Sequence, residues 1–406
     1  MPYIGQEAAT TYSTRLAVQQ FNGDGSTTAF TLNQSVSADQ DILVSVDGVV
    51  QDTSAYTVSN GTTLTFSPAP SSGTANIFVN YLGLAVGTVT HPATQGLTAT
   101  TGTFTSDIST STLGTSNFRA GVNAGNSIAS GGNYNTLIGD EAGTALTTGD
   151  DNVAIGFEAL KTEDAHGRNV AVGYQSLKTL NAGVVAVHTT VGYKSGTSLT
   201  TGVQNVLIGG LSGDALTDAD FNVAVGNNTL TTDTQGSKST AVGYEALTAQ
   251  NFTSATDSNN TAVGFQAGAS ITTGIQNTIV GSVAGDAFTD ADKNVAIGTN
   301  ALSSSVQGSK NVAVGTAALF TSNPSGAVDT LNTAVGFEAG KATTTGTGNT
   351  FIGASAGDSC TDTVNCVAVG LNALGGADAD HSNVAVGQLS LSSCTGDSNT
   401  AVGDQA

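Results

Sequence analysis

"NTAVGFEAG" occupies residues 332–340, and near-copies of it recur along most of the chain: NVAIGFEAL at 152–160, NVAVGYQSL at 169–177 and NTAVGFQAG at 260–268. The glycine of each phrase falls at 139, 156, 173, 192, 209, 226, 243, 264, 281, 298, 315, 336, 353, 370, 387 and 403. Most steps are 17 residues, and the exceptions are 19, 21, 21 and a final 16. A repeat this regular decides the fold class before any single residue does. The phrase is β-branched and alternating, so it reads as a strand. Its glycine permits a sharp bend or a close backbone approach where a Cβ would clash. Between phrases the chain is rich in Thr, Gly, Asp and Asn, and therefore turns. Seventeen residues are too few for a βαβ unit, which needs about 30. They suit one coil of a β-solenoid, each coil stacking on the last at about 4.8 Å.

A second period overlies the first. Four residues after the glycine the chain reads Gly143, Leu160, Leu177, Gly196, then Gly213, Leu230, Leu247, Gly268, then Gly285, Leu302, Leu319, Gly340. Two residues before the glycine, every fourth copy carries Leu137, Leu207, Ile279 or Phe351; elsewhere the residue is Ala, once Thr. The unit is therefore a block of four coils, used three times and begun again. The Val or Ile before each glycine is expected to point into the coil. Ala154, Ala171, Ala224, Ala241, Ala296 and Ala313 would then lie on the opposite face. A uniformly small outer face suits close packing by other chains, which predicts a homotrimer with this face toward the axis. The Asn that opens most phrases reads either as a ladder from coil to coil or as a turn residue tolerant of αL.

Small side chains dominate, with 52 Gly, no Trp and one Met, so any core is thin and regular. Apolar content of 38%, spread evenly, is not that of a disordered tail. A net charge of −21 with only ten Lys plus Arg argues against neutralising phosphates, hence against nucleic acid. No run of 18 apolar residues exists, so no membrane insertion is expected. The first residues, MPYIGQEAATTYSTR, lack a charged segment followed by an apolar one, so no secretory signal is visible.

Residues 21–83 read differently. FNGDGSTTAFTL, DILVSVDGVVQ, AYTVSNGTTLTF and TANIFVNYLG are four strand-like runs, with Asp47-Gly48 and Asn60-Gly61 as hairpin signals. The expected organisation is an arm at 1–20, an antiparallel β domain at 21–83, a Thr/Ser/Gly connector at 84–116 and the coils at 117–406. NFRAGVNAG, 117–125, carries a degenerate phrase with Gly121 in the anchor place. The fold class is all-β: a small antiparallel domain, then a long solenoid or β-roll.

MPYIGQ, FNGDGSTTAFTL and VDGVVQ together resemble the N-terminal attachment region of tail-fibre proteins from tailed bacteriophages. The 17-residue phrase resembles shaft repeats of such fibres and, more distantly, is similar to the head repeats of trimeric autotransporter adhesins. The resemblance implies a homotrimeric virion protein without enzymatic activity or cofactor. A tail or adaptor protein would hold residues 1–83, and a distal segment would meet a glycan or protein on the host. The alternative is a bacterial adhesin of the autotransporter type; a polysaccharide-degrading tailspike is a third reading. SNTAVGDQA stops in mid-repeat, and many such fibres end in a cleaved chaperone domain, so a further distal part or partner is expected.

Catalytic, cofactor and metal sites are expected to be absent. Gly353-Ala-Ser355-Ala-Gly357 matches G-x-S-x-G, but the equivalent segments place Glu141, Leu211 and Val283 where the serine stands. Glu141 and Glu158 share a position in adjacent coils, about 5 Å apart, the separation of a retaining glycosidase pair. No other coil pair repeats them, and Trp platforms are missing. Asp218/Asp220 and Asp290/Asp292 recur in two blocks and read as solvated turns, with a Ca²⁺ site as the alternative. His91, His166, His188 and His381 are isolated. Cys360, Cys366 and Cys394 read as small buried fillers. Phe157, Tyr174, Tyr193, Tyr244, Phe265 and Phe337 follow anchor glycines and read as corner packing, with a sugar-binding stripe as the other possibility.

Overall fold

A computed structural model describes residues 18–82, 112–376 and 380–406. Most of the expected arm and connector, and His91, lie outside these residues. The chain divides into two units, 1–103 and 104–406.

The first unit is all antiparallel. Its strands are β1 (Val18–Gly23), β2 (Ala29–Thr31), β3 (Ile42–Val46), β4 (Val49–Val50), β5 (Tyr56–Ser59), β6 (Thr63–Phe66) and β7 (Gly73–Tyr81). They form two sheets, ordered β1-β7-β3-β4 and β2-β6-β5. Strand β1 begins at Val18, inside the expected arm. Asp47 and Gly48 both have positive φ, as do Asn60 and Gly61, so both hairpin signals become turns. Ile42, Val44, Tyr56, Leu64, Ile77 and Val79 form the core between the sheets. Buried Gln19 ties the ends together: its Nε2 donates to Thr31 O at 2.9 Å, and its Oε1 accepts from Asn33 N and Tyr81 OH.

The second unit is the solenoid. Three-residue strands, from Phe118–Ala120 and Thr136–Ile138 onward to Thr400–Val402, pair in parallel and in register, one per coil. Seventeen strands make this ladder, Phe118–Ala120 being the degenerate copy around Gly121. The anchor glycines explain the phrase. Their φ values run from +126° to +144°, a region that side chains disfavour. A Cβ on any of them from Gly121 to Gly387 would lie 2.2–2.6 Å from the carbonyl oxygen of the next anchor. The close approach read from sequence is thus the reason for the residue.

The strand faces are the reverse of those expected. Ala154, Ala171, Ala224, Ala241, Ala296 and Ala313 are fully buried inside the coil. The Val and Ile residues beside them point outward; Val191, Ile208, Val263, Ile297 and Ile352 are 36–40% exposed. The cause is volume. Each of these six Ala shares its coil with a corner Leu, as Ala154 with Leu160 and Ala224 with Leu230, all fully buried in one core. Where the strand carries a large residue, the corner is Gly: a Cβ on Gly143 would meet Leu137 at 2.9 Å, and one on Gly357 would meet Phe351 at 2.5 Å. Closed inside the coil, the Ala face cannot meet a trimer axis as expected.

The Asn residues form a ladder. Each accepts the next coil's backbone N–H on Oδ1 at 2.8–3.1 Å, for example Asn152 from Asn169, Asn205 from Asn222 and Asn294 from Asn311. In most coils its Nδ2 donates to a carbonyl fourteen residues on, as Asn205 to Ala219 and Asn277 to Ala291. Buried amides are thereby satisfied inside a thin core.

Candidate functional site

The candidate residues fall into three settings: the core ladder, the outer corner and the turns. His188 belongs to the first. It takes the place of a ladder Asn and is 1% exposed. Its Nε2 lies 2.8 Å from Gly202 O, and its Nδ1 accepts from Asn205 N at 3.2 Å. These partners require the neutral Nε2–H tautomer. Burial pushes its pKa down to about 4, opposed by the two backbone bonds. Cys366 takes another ladder place, its Sγ accepting from Asn383 N at 3.4 Å. Cys360 is buried as expected, whereas Cys394 is half-buried; all three are free thiols.

The carboxylate pair sits in an ion-pair chain along the outer corner. Lys161 Nζ bridges Glu141 and Glu158, lying 2.6 Å from Glu158 Oε1. Lys178 Nζ holds the other oxygen of Glu158 at 2.6 Å, and Gln175 Nε2 donates to it at 2.7 Å. Hydrogen bonds from Lys161 and Lys178 hold the Glu158 pKa at about 2, so it stays ionised near neutrality. A glycosidase acid needs the opposite shift. Ser355 is a repeat corner: its N–H donates to Phe337 O, as those of Glu141, Leu211 and Val283 donate to Val122, Tyr193 and Phe265.

The aromatic residues do not pack into the corner. Phe157, Tyr174 and Tyr193 are 39–53% exposed and stack on one another with centroids 5.3 and 5.4 Å apart. Tyr244 and Phe265 stack likewise at 5.5 Å. Tyr174 is covered on both faces, so its edge rather than its face meets solvent. A sugar platform needs an open face, and stacking closes those between the rings.

The Asp pairs act as turn staples. Asp220 Oδ1 accepts from Val203 N at 2.7 Å, and Asp292 Oδ1 from Ile275 N at 2.8 Å. Asp218 Oδ1 accepts from Thr201 Oγ1 at 2.7 Å. The sequence reading missed two buried carboxylates. Glu163 accepts from His166 N at 3.0 Å and Ala182 N at 3.3 Å. Asp233 accepts from Gly236 N and Phe252 N, both at 3.0 Å, and from Gln250 Nε2 at 2.5 Å. Each pins the long excursion of the following coil, and the signal was their shared place seven residues after the anchor. Glu163, Asp164 and His166 bring three ligand-type atoms within 4.8 Å, the one such group among the described residues. His381 is exposed, with its N–H on Asp397.

No protein-family model, no curated protein and no solved structure matches the chain.

Proposed function

We propose that this chain is a structural fibre protein of a phage virion, with the antiparallel unit as attachment module and the solenoid as shaft. The carrying observation is the in-register ladder of seventeen strands. Sixteen coil rises of about 4.8 Å make a stiff object about 75 Å long, in which each coil depends only on its neighbours. The job of such a part is reach. A tail or adaptor protein holds residues 1–83, and a glycan or protein of the host surface is met distally.

The outer face supports assembly with further copies, by a different surface from the one first expected. The outward Val and Ile line up with the stacked aromatics beside the anchor glycines. A stripe about 75 Å long and one short strand wide, roughly 10 Å, covers about 750 Å². That exceeds the apolar patch of an ordinary monomer and approaches one partner's share of a stable interface. A homotrimer covers it by symmetry. The autotransporter-type adhesin shares this logic and remains the second reading.

Light scattering of the full chain tests assembly: a mass of three chains is expected, and Val263→Lys is expected to reduce it to one without unfolding. A monomeric wild type refutes the trimer. Immunogold labelling of virions against the solenoid tests the placement, and unlabelled tails refute it.

A further inference from the structure

The third block has a core unlike the others. Ser305, Ser322 and Thr343 stand seven residues after the anchor in three successive coils, all fully buried. None of their hydroxyls has a hydrogen-bond partner, and neither has that of fully buried Thr363. Gly346 lies between the last two: a Cβ there would be 3.2 Å from Thr343 Cγ2 and 2.5 Å from Thr363 O. Other buried hydroxyls of the rod behave differently. Ser195 and Ser212 donate to the carbonyls of Leu207 and Ala224. Fully buried Phe288 and Cys360 hold the same place in the coils on either side.

The second block supplies the internal comparison. Its coils have the same lengths, so its residues correspond to those of the third at an offset of 72. There the column reads Asp233, Gln250 and Ile271. Asp233 binds Phe252 N, whereas the third block has Ser305 opposite Pro324, which has no N–H to give. Acceptor and donor have been lost together. Within the column and opposite it the replacements lose volume, Asp to Ser, Gln to Ser, Ile to Thr and Phe to Pro, while two neighbouring places gain it: Ser239, which bonds Gln250, corresponds to Asn311, and Ala291 to Thr363.

We propose that this column is a binding site for ordered water, a short file bridging Ser305, Ser322, Thr343 and Thr363. Hydroxyls of adjacent coils bond directly where they face each other, as Ser212 Oγ and Thr229 Oγ1 do at 2.9 Å, but none in this column does so, and the coil rise between them is about 4.8 Å. One water making two bonds of about 2.8 Å spans that distance at a near-tetrahedral angle. Neutral hydroxyls do not compensate a bare ion, and an apolar guest leaves them unpaired.

The test is a crystal structure of the full chain at about 2 Å or better, with thermal unfolding of Ser322→Ala and Ser305→Ala. Density peaks within hydrogen-bond reach of Ser305 Oγ, Ser322 Oγ and Thr343 Oγ1 are expected. Each alanine variant is expected to melt at or below the wild-type temperature, because it removes a bonded hydroxyl. A column without density overturns the proposal. So does a raised melting temperature in both variants, the mark of deleting unpaired hydroxyls from a dry core.

Discussion

Acid should open the rod first at His188. The folded ring is neutral, with Nδ1 accepting from Asn205 N and burial holding its pKa near 4. In the unfolded chain the ring has its ordinary value of about 6.5. Between those values the unfolded state binds a proton that the folded state does not. Stability therefore falls as pH drops from about 6.5 to about 4, and the loss is complete below that. A displacement of about 2.5 units corresponds to roughly 3 kcal/mol. His188→Asn restores the ladder residue of Asn169 and Asn205, and should abolish this component. Carboxylates such as Glu158 also lose stabilisation in acid, but at lower pH, so the informative quantity is the difference between wild type and variant. A rod opens in parts, so a local probe is needed. Hydrogen exchange of the Asn205 and Val206 amides at pH 7, 6 and 5, corrected for intrinsic rates, supplies it. Protection should fall in the wild type and hold in the variant. Equal slopes in the two proteins would falsify the assignment.

Gly226→Ala places a Cβ 2.5 Å from Gly243 O at a φ of +143°, and should cost roughly 3 kcal/mol or more by chemical denaturation. A loss under about 1 kcal/mol would mean the anchors yield easily. Asp233→Asn presents an amide to three donors in a closed core and should cost roughly 3 kcal/mol. Limited proteolysis should then cut first within 251–259, and an unchanged digest refutes the staple. Glu158→Gln removes the centre of a partly screened ion-pair chain and should cost about 1 kcal/mol or less, shrinking in high salt. Ala224→Arg should unfold its coil, whereas Val263→Lys should leave circular dichroism unchanged; the opposite result would restore the original facing.

The repeat, the strand, the anchor glycines and the four-coil block were all legible, because parallel stacking puts like residues on like and leaves a period in the chain. The facing of the strand was misread. Val was placed inside because larger apolar groups usually are. The contrary signal was present: Leu137, Leu207, Ile279 and Phe351 occur only in coils whose corner is Gly143, Gly213, Gly285 or Gly357. Such an exchange of size makes sense only if both positions share one interior. The buried carboxylates were not legible, since Glu163 and Asp233 resemble any acidic turn residue until the excursions they pin are seen. The ladder role of His188 was readable from its place, which Asn holds in most coils.

The corner glycines also fix an order among coils. A Cβ on Gly268 would meet Leu247 of the coil before at 3.1 Å and Ile279 of the coil after at 3.0 Å; Gly340 is enclosed likewise by Leu319 and Phe351. Each fourth coil thus fits only between a third and a first. Inserting or losing one coil brings mismatched neighbours together, while a whole block leaves every junction intact. Length in this architecture is therefore stepwise: it changes by blocks of about 19 Å, four coil rises at a time.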